Sequence, residues 1–286
     1  MTVFLLCCTA FAGAAVSLYA FWYFSFGRNY SFPSQVLTYH HIHGGPGLLA
    51  TRTSRASLEK QLHALKERNI RSLSPGEFFA QRKGEGKGSI LITFDDCYAT
   101  VADSALPLLA SVGYTASLFV ISDYIGRPNT WDVRLSHATH MTEEHIRKAI
   151  ARGFTIGSHT KTHRDLTALS PDELTEELLG SRRRLEETFG IQVKYLAYPF
   201  GRYNYRVKEA ARACGYEGAF TINRPICQRA RDPFAVPANG IYMTDTLSNF
   251  LSKATRDRFV WIDDLKCKII NRFADGALLV KGRRSV

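Results

Sequence analysis

From residue 35 onward the chain alternates short apolar runs with longer segments whose apolar residues recur every three or four positions. The runs QVLTYHH (35–41), SILITFDD (89–96), TASLFVIS (115–122) and FTIGSH (154–159) are rich in β-branched and aromatic residues, and they predict strands. VKYLAYPFG (193–201), GAFTIN (218–223) and GIYM (240–243) predict three more. Helical spacing fills the intervals: Leu58, Leu62 and Leu65 share one face of 57–69, and 101–113 ends at a glycine. Thr142 opens a helix to 153 with a capping-box pattern that places a glutamate at the third helical position. Ser170 caps a long helix over 170–190, and a further helix covers 204–214.

Alternation of this kind predicts an α/β fold of parallel βα units. About seven strands between residues 35 and 244 suit a closed or nearly closed barrel better than a small open sheet. Ligands then gather at the C-terminal ends of the strands. That rule places Asp95 and Asp96 on one rim with His159, with Tyr198 to Gly201, and with His40 near the end of the first strand.

The segments outside the barrel differ from it in character. Val3 to Phe26 carries no charge, and Tyr19, Trp22 and Tyr23 gather near its end. This predicts a single N-terminal transmembrane helix within 1–27, a membrane anchor, with a cleaved signal segment as the alternative. Residues 28–34 read as a linker. Arg28, just after the span, favours a cytoplasmic domain by charge. Large domains translocate largely regardless of it, so a periplasmic or extracellular catalytic domain is the expectation and the cytoplasmic face its alternative. Residues 245–286 read as a basic, mostly helical extension, with nine Lys/Arg against four Asp from 253 onward.

The chain carries a net charge of +11 with 45% hydrophobic residues, ordinary for a folded protein apart from the basic surplus. No zinc finger, RNA-binding aromatic signature or phosphate-binding Gly-rich loop accompanies that charge, so no nucleic-acid partner is expected. Cys7 and Cys8 lie in the apolar span, and Cys97, Cys214, Cys227 and Cys267 show no C-x-x-C pair. A bridge between Cys214 and Cys227 is open, with buried free thiols the commoner outcome.

The rim carries the candidate chemistry. His159 and His163 stand four residues apart, and on a helical turn both imidazoles reach one ion. With one carboxylate they make a two-histidine, one-carboxylate site for a divalent cation, zinc or another transition metal. The bland alternative is a pair of solvated helix histidines.

TFDD (93–96), HTKTH (159–163) and YPFG (198–201), in this order, resemble the first three motifs of the polysaccharide deacetylases, carbohydrate esterase family 4. The resemblance covers roughly residues 35–243 and implies a distorted (β/α) barrel, a bound divalent metal and removal of acetyl groups from sugars. LTYHHI near the start resembles the circularly permuted branch that includes poly-N-acetylglucosamine deacetylases, in which an N-terminal Tyr-His supplies the catalytic histidine. All nine histidines lie at or before His163, which agrees with that placement.

The resemblance then implies roles. Asp96 completes the metal site with His159 and His163, and the metal polarises the acetyl carbonyl and acidifies a water. Asp95 is the general base, and His40 is the acid that protonates the departing amine. The backbone N–H of Phe200 is the oxyanion donor. Tyr198, Pro199, Trp131 and Asp132 are candidates for the substrate groove, with local packing the alternative for the tryptophan. His41 and His43 read as packed or solvent-facing.

Two positions depart from the broad family pattern: Ala197 stands where an arginine elsewhere supports the base, and Cys97 where glycine is common. The thiol either reaches toward the metal or is a small buried side chain. The expected substrate is an N-acetylated amino sugar in a polysaccharide. A lipid-linked sugar at a membrane face and a catalytically silent carbohydrate-binding relative are the alternatives.

Overall fold

Short runs buried on both faces become the strands of a parallel barrel, and the helices between them cover its outside. The computed structural model describes residues 32–43, 51–82, 85–131, 138–222 and 231–255. Strand β1 (Gln35–Tyr39) is buried at all its positions. Next, β2 (His41–His43) and β3 (Arg52–Ser54) pair in parallel as a separate ribbon. Helix α1 (Arg55–Glu67) starts at Ser54, whose hydroxyl accepts the Ser57 N–H, and buries Leu58, Leu62 and Leu65 as their spacing predicts. Strand β4 (Arg71–Leu73), α2 (Pro75–Ala80) and β5 (Ser89–Phe94) follow.

The middle of the chain repeats the βα unit. A π-helical turn (Val101–Ala105) leads into α3 (Leu106–Ser111), then come β6 (Ser117–Val120), α4 (Glu143–Ala151) and β7 (Thr155–Ser158). The long helix expected over 170–190 is α5 (Pro171–Thr175), a π-helical stretch (Glu176–Gly180) and α6 (Ser181–Phe189), closed by Gly190 at φ +67°. After it stand β8 (Tyr195–Ala197), α7 (Tyr205–Ala213), β9 (Gly218–Thr221), β10 (Val236–Pro237), β11 (Asn239–Gly240) and α8 (Leu247–Thr255).

The main sheet has nine strands in the order β10-β9-β8-β7-β6-β5-β1-β11, with β4 also on β5, and every pairing is parallel. Strands β10 and β11 are separated by Ala238 alone yet pair at opposite ends of that order. One extended segment thus nearly closes the barrel. Ala238 donates to the Thr221 carbonyl at 2.7 Å and Ile241 to that of Thr38 at 2.9 Å, which carries the hydrogen bonding across the seam.

Two expectations change in detail. Nine strands replace about seven, because β4 is too short to show a period and the run near 240 contributes two-residue strands on both sides of the seam. The capping box of α4 has His145 at the third helical position, not a glutamate; its Nδ1 accepts the Thr142 N–H at 3.3 Å. Cys214 is a buried free thiol, the commoner of the two outcomes open to it.

Among the described residues no helix is long and apolar enough to cross a membrane. The run Val3–Phe26, the cysteines at 7, 8, 227 and 267, Asp132 and residues 256–286 lie outside the described residues.

Candidate metal centre and active site

Strand β5 ends in a turn built from two successive left-handed residues. Asp95 stays in the ladder, donating its N–H to the Tyr39 carbonyl at 2.9 Å. Asp96 (φ +64°) and Cys97 (φ +50°) then swing the chain out of the sheet. An aspartate tolerates this conformation, and at the next position a glycine would adopt it freely. Segment 139–141 straps the turn: His140 donates Nδ1–H to the Asp96 carbonyl at 2.7 Å and Met141 donates its N–H to that of Cys97 at 2.8 Å. The Cys97 thiol points toward the carbonyls of Phe119 (3.2 Å) and Phe94 (3.6 Å). It is buried, and burial with the two nearby carboxylates keeps it protonated. The thiol does not approach the metal-ligand cluster.

Strand β7 delivers the histidines. Gly157 lies against Phe119, where an added Cβ would meet the ring at 2.4 Å, so the close approach of β6 and β7 requires a glycine. His159 donates Nδ1–H to the Ala197 carbonyl of β8 at 2.8 Å, which fixes the tautomer and leaves the Nε2 lone pair facing inward. Between His159 and His163 the backbone is not helical. Thr160 (φ +67°) and His163 (φ +61°) are left-handed, and this irregular turn, rather than the helix expected from the i, i+4 spacing, brings the two rings together. The His163 ring stacks on Trp131 at 3.9 Å and meets the edge of Phe200 at 4.6 Å.

The three side chains converge. Asp96 Oδ1 lies 3.4 Å from His159 Nε2 and 3.5 Å from His163 Nε2, and one ligand atom from each residue falls within 4.8 Å of the others. Among the described residues this is the one such cluster of three. Asp96 Oδ1 is buried and accepts no hydrogen bond. Ligands about 2.0–2.1 Å from a tetrahedral ion stand roughly 3.3 Å apart, close to the two carboxylate–imidazole separations. The residues therefore fit a divalent cation held by two nitrogens and one oxygen.

Electrostatics agree with that donor set. Burial works against the Asp96 charge, but His159 and His163 outweigh it and hold the carboxyl well below its usual range. Burial brings His163 down to about 3, so its ring is neutral. Burial also disfavours charge on His159, yet Asp96 and Asp95 raise it. Asp95 is pushed up by burial and by Asp96 against the opposing pull of His159 and His40, and its Oδ1 is buried without a hydrogen bond. Two adjacent acids thus occupy different environments. His40, partly buried, is within electrostatic reach of Asp95 and Asp96.

The YPFG turn behaves differently from a groove lining. Tyr198 is 2% exposed, donates its hydroxyl to the Phe234 carbonyl at 3.0 Å and stacks on Tyr203, and Pro199 is buried. Both residues shape the turn from within, a correction to the groove expectation. Phe200, at φ +58°, is a further left-handed non-glycine residue, and its ring meets that of His163. Trp131 takes the packing role through His163. His41 is buried against Tyr98 rather than on the rim.

Residues that pattern alone did not single out are His140, Ser158, Thr160 and Glu177. Each acts on backbone atoms of the site, and a lone polar residue in an apolar or helical stretch carries no periodic signal for that.

A family model described as polysaccharide deacetylase matches residues 82–219. The Bacillus subtilis (strain 168) protein YxkH, whose name carries polysaccharide deacetylase as a provisional label, is 30% identical over 204 residues, spanning 70% of this chain and 68% of its own. The poly-beta-1,6-N-acetyl-D-glucosamine N-deacetylase of Staphylococcus aureus (strain MRSA252) is 22% identical over 195 residues, 64% of this chain and 66% of that protein. The crystal structure of BC0361, a polysaccharide deacetylase from Bacillus cereus, superposes with a TM-score of 0.62 at 25% identity, covering 77% of this chain and 68% of that one. On these matches, with the acid pair and the two histidines in place, the chain belongs to the polysaccharide deacetylase family.

Proposed function

We propose that the protein is a divalent-metal-dependent hydrolase that removes acetyl groups from N-acetylated amino sugars in a polysaccharide. The observation that carries this is the difference between two adjacent carboxylates: Asp96 faces both imidazoles, whereas Asp95 stands outside that cluster, within electrostatic reach of His159 and His40. The name of the Staphylococcus aureus relative supports an amino-sugar polymer as the substrate class.

Asp96, His159 and His163 would hold the cation, for which zinc is the natural candidate given two nitrogens and an oxygen. When bound, it supplies Lewis-acid polarisation of the acetyl carbonyl and a more acidic water. Asp95, held at the strand end by its bond to Tyr39, takes the proton from the attacking water. His40, just past the end of the neighbouring strand β1, gives a proton to the departing sugar nitrogen, without which the tetrahedral species collapses back to amide. The Phe200 N–H, in the left-handed turn against His163, is the donor proposed for the developing oxyanion. The apolar run at 3–26 supports attachment of the domain to a membrane.

The test is acetate release from a panel of N- and O-acetylated glycans and lipid-linked amino sugars, with and without chelator and with metal added back. Release from amino-sugar polymers that is lost to chelator and restored by metal is the expected result. Release confined to lipid-linked sugars would move the substrate to the membrane face. No release from any substrate by fully metal-loaded protein would favour a carbohydrate-binding role.

A further inference from the structure

We propose that Glu177 is a positioning residue for the metal-binding turn: its carboxylate, buried on the following helix, holds the backbone of residues 160–163 in the shape that aims both imidazoles at Asp96. The inference rests on the reading of Asp96, His159 and His163 as cation ligands.

The turn has no ladder of its own. His159 makes the last strand bond, N–H to the Val120 carbonyl at 2.8 Å. The next four N–H groups all go to side-chain oxygens. Thr160 donates to Ser158 Oγ (3.1 Å), Lys161 and Thr162 donate to Glu177 Oε2 (3.0 and 2.9 Å), and His163 donates to Thr160 Oγ1 (3.1 Å). The Thr162 hydroxyl donates to the other Glu177 oxygen. Both oxygens of one acid are therefore occupied by this turn alone. Buried backbone N–H groups require acceptors, and a carboxylate is the strongest acceptor a side chain offers.

Glu177 is 4% exposed, whereas its neighbour Glu176 pairs with Lys161 on the surface. A buried carboxylate persists only where donors satisfy it, so the acid and the turn depend on each other. Thr160 and His163 both carry a Cβ in the left-handed region, a conformation that persists only when the surroundings impose it. The π-helical stretch Glu176–Gly180 places Glu177 against the turn, and Ser181 on the same helix shares a hydrogen bond with Ser158 at 2.8 Å. From the opposite side, the N–H groups of Ser122 and Asp123 hold the carbonyls of Thr160 and Lys161 at 3.1 and 3.0 Å.

The experiment measures zinc and cobalt(II) affinity of the full chain by competition with a chromophoric chelator, beside the thermal midpoint of the metal-free protein. Glu177→Gln keeps the shape but offers the two N–H groups only a neutral, weaker acceptor and sets its NH2 against the Thr162 hydroxyl that now donates, and it is expected to weaken affinity about 10- to 100-fold. The cobalt(II) absorption spectrum should shift with it. Leu185→Ala, a core truncation on the same helix, should lower the thermal midpoint while leaving affinity at the wild-type value. Affinity unchanged in Glu177→Gln, or an equal loss in Leu185→Ala, overturns the proposal. If Glu177→Gln does not fold, Thr162→Val decides: it removes one hydroxyl bond, and an unchanged affinity overturns the proposal while a several-fold loss supports it. Wild-type protein that takes up neither cation overturns the metal reading and this inference with it, an outcome distinct from a Glu177-specific failure.

Discussion

Asp95 and Tyr39 are joined by a backbone hydrogen bond of 2.9 Å, so Asp95 and His40 leave adjacent parallel strands at the same level. Two residues 55 positions apart in sequence become side-by-side neighbours on the rim through strand register alone. Asp95→Asn should therefore abolish acetate release while zinc content stays near the wild-type value, because the strand bond is made by the backbone and the ligand cluster is untouched. Asp96→Asn should lose both. Metal analysis of the two purified variants checks the assignment, and loss of metal from Asp95→Asn would reverse the two roles.

Cys97 is expected to be chemically quiet. Its thiol is buried against the Phe94 and Phe119 carbonyls, and burial pushes it up, away from the reactive thiolate. In Cys97→Gly the residue at φ +50° loses its Cβ, which relieves roughly 1–2 kcal/mol of left-handed strain, while the lost thiol packing works in the opposite direction. The variant should bind metal with wild-type affinity and retain turnover. Alkylation of native protein at Cys97 should be slow and should accelerate on unfolding; rapid native labelling would contradict the placement.

Trp131 covers one face of the His163 ring, whose Nδ1 is buried without a hydrogen bond, so ring packing rather than a polar partner orients this ligand. Trp131→Ala should weaken zinc binding by about tenfold, whereas Trp131→Phe, which keeps an aromatic face, should recover most of it. Chelator competition distinguishes this from a pure groove role, which would raise KM and leave metal affinity alone.

Much of this was legible in the sequence, for identifiable reasons. The strand ends carried Asp95, Asp96 and His159 because burial on both faces leaves a continuous apolar run that stops at the first polar residue. Leu58, Leu62 and Leu65 gave α1 because their spacing matches the helical period. What stayed hidden was set by conformation. The i, i+4 histidines predicted a helix, but Thr160 and His163 are left-handed, and nothing in HTKTH announces that. Tyr198 read as a rim residue from its position at a strand end, yet its hydroxyl turns inward to Phe234. Glu177 sits among exposed acids in a capped helix, and only tertiary structure reveals which one is buried.

Asp165 links the turn after His163 to the turn after Phe200. Its Oδ1 caps the short helix at Leu166–Ala168 and its Oδ2 takes Arg202 at 2.7 Å. Burial opposes the charge, but Thr167 and Arg202 outweigh it and hold the carboxyl below the usual aspartate range. A folded value below the unfolded one contributes stability that is full above the unfolded pKa and lost as pH falls through the folded one. Asp165→Asn should therefore lower stability by about 0.5–1 kcal/mol near neutral pH, as suits a partly exposed pair. Thermal scans of both proteins should converge as pH drops below the ordinary aspartate range; a gap that persists there would contradict the assignment.

The barrel seam is held by a buried ion pair, and this yields the largest expected stability effect. Lys253 on α8 donates Nζ to Asp245 Oδ2 at 2.6 Å and to the Gly240 carbonyl of β11 at 2.9 Å, and the two side chains are 1% and 0% exposed. Asp245 also accepts the Tyr242 N–H at 2.8 Å, so one carboxylate ties the helix to the segment just past the closing strand. Removing one member of a buried pair strands the other charge away from water, which costs about 3–5 kcal/mol, a large share of a typical domain's stability. Lys253→Met should therefore destabilise strongly by urea titration. The Lys253→Met, Asp245→Leu double variant should recover much of the loss, because neither charge then remains buried. Equal losses in the single and double variants would mean that the Gly240 and Tyr242 bonds, rather than the charge pair, hold the seam.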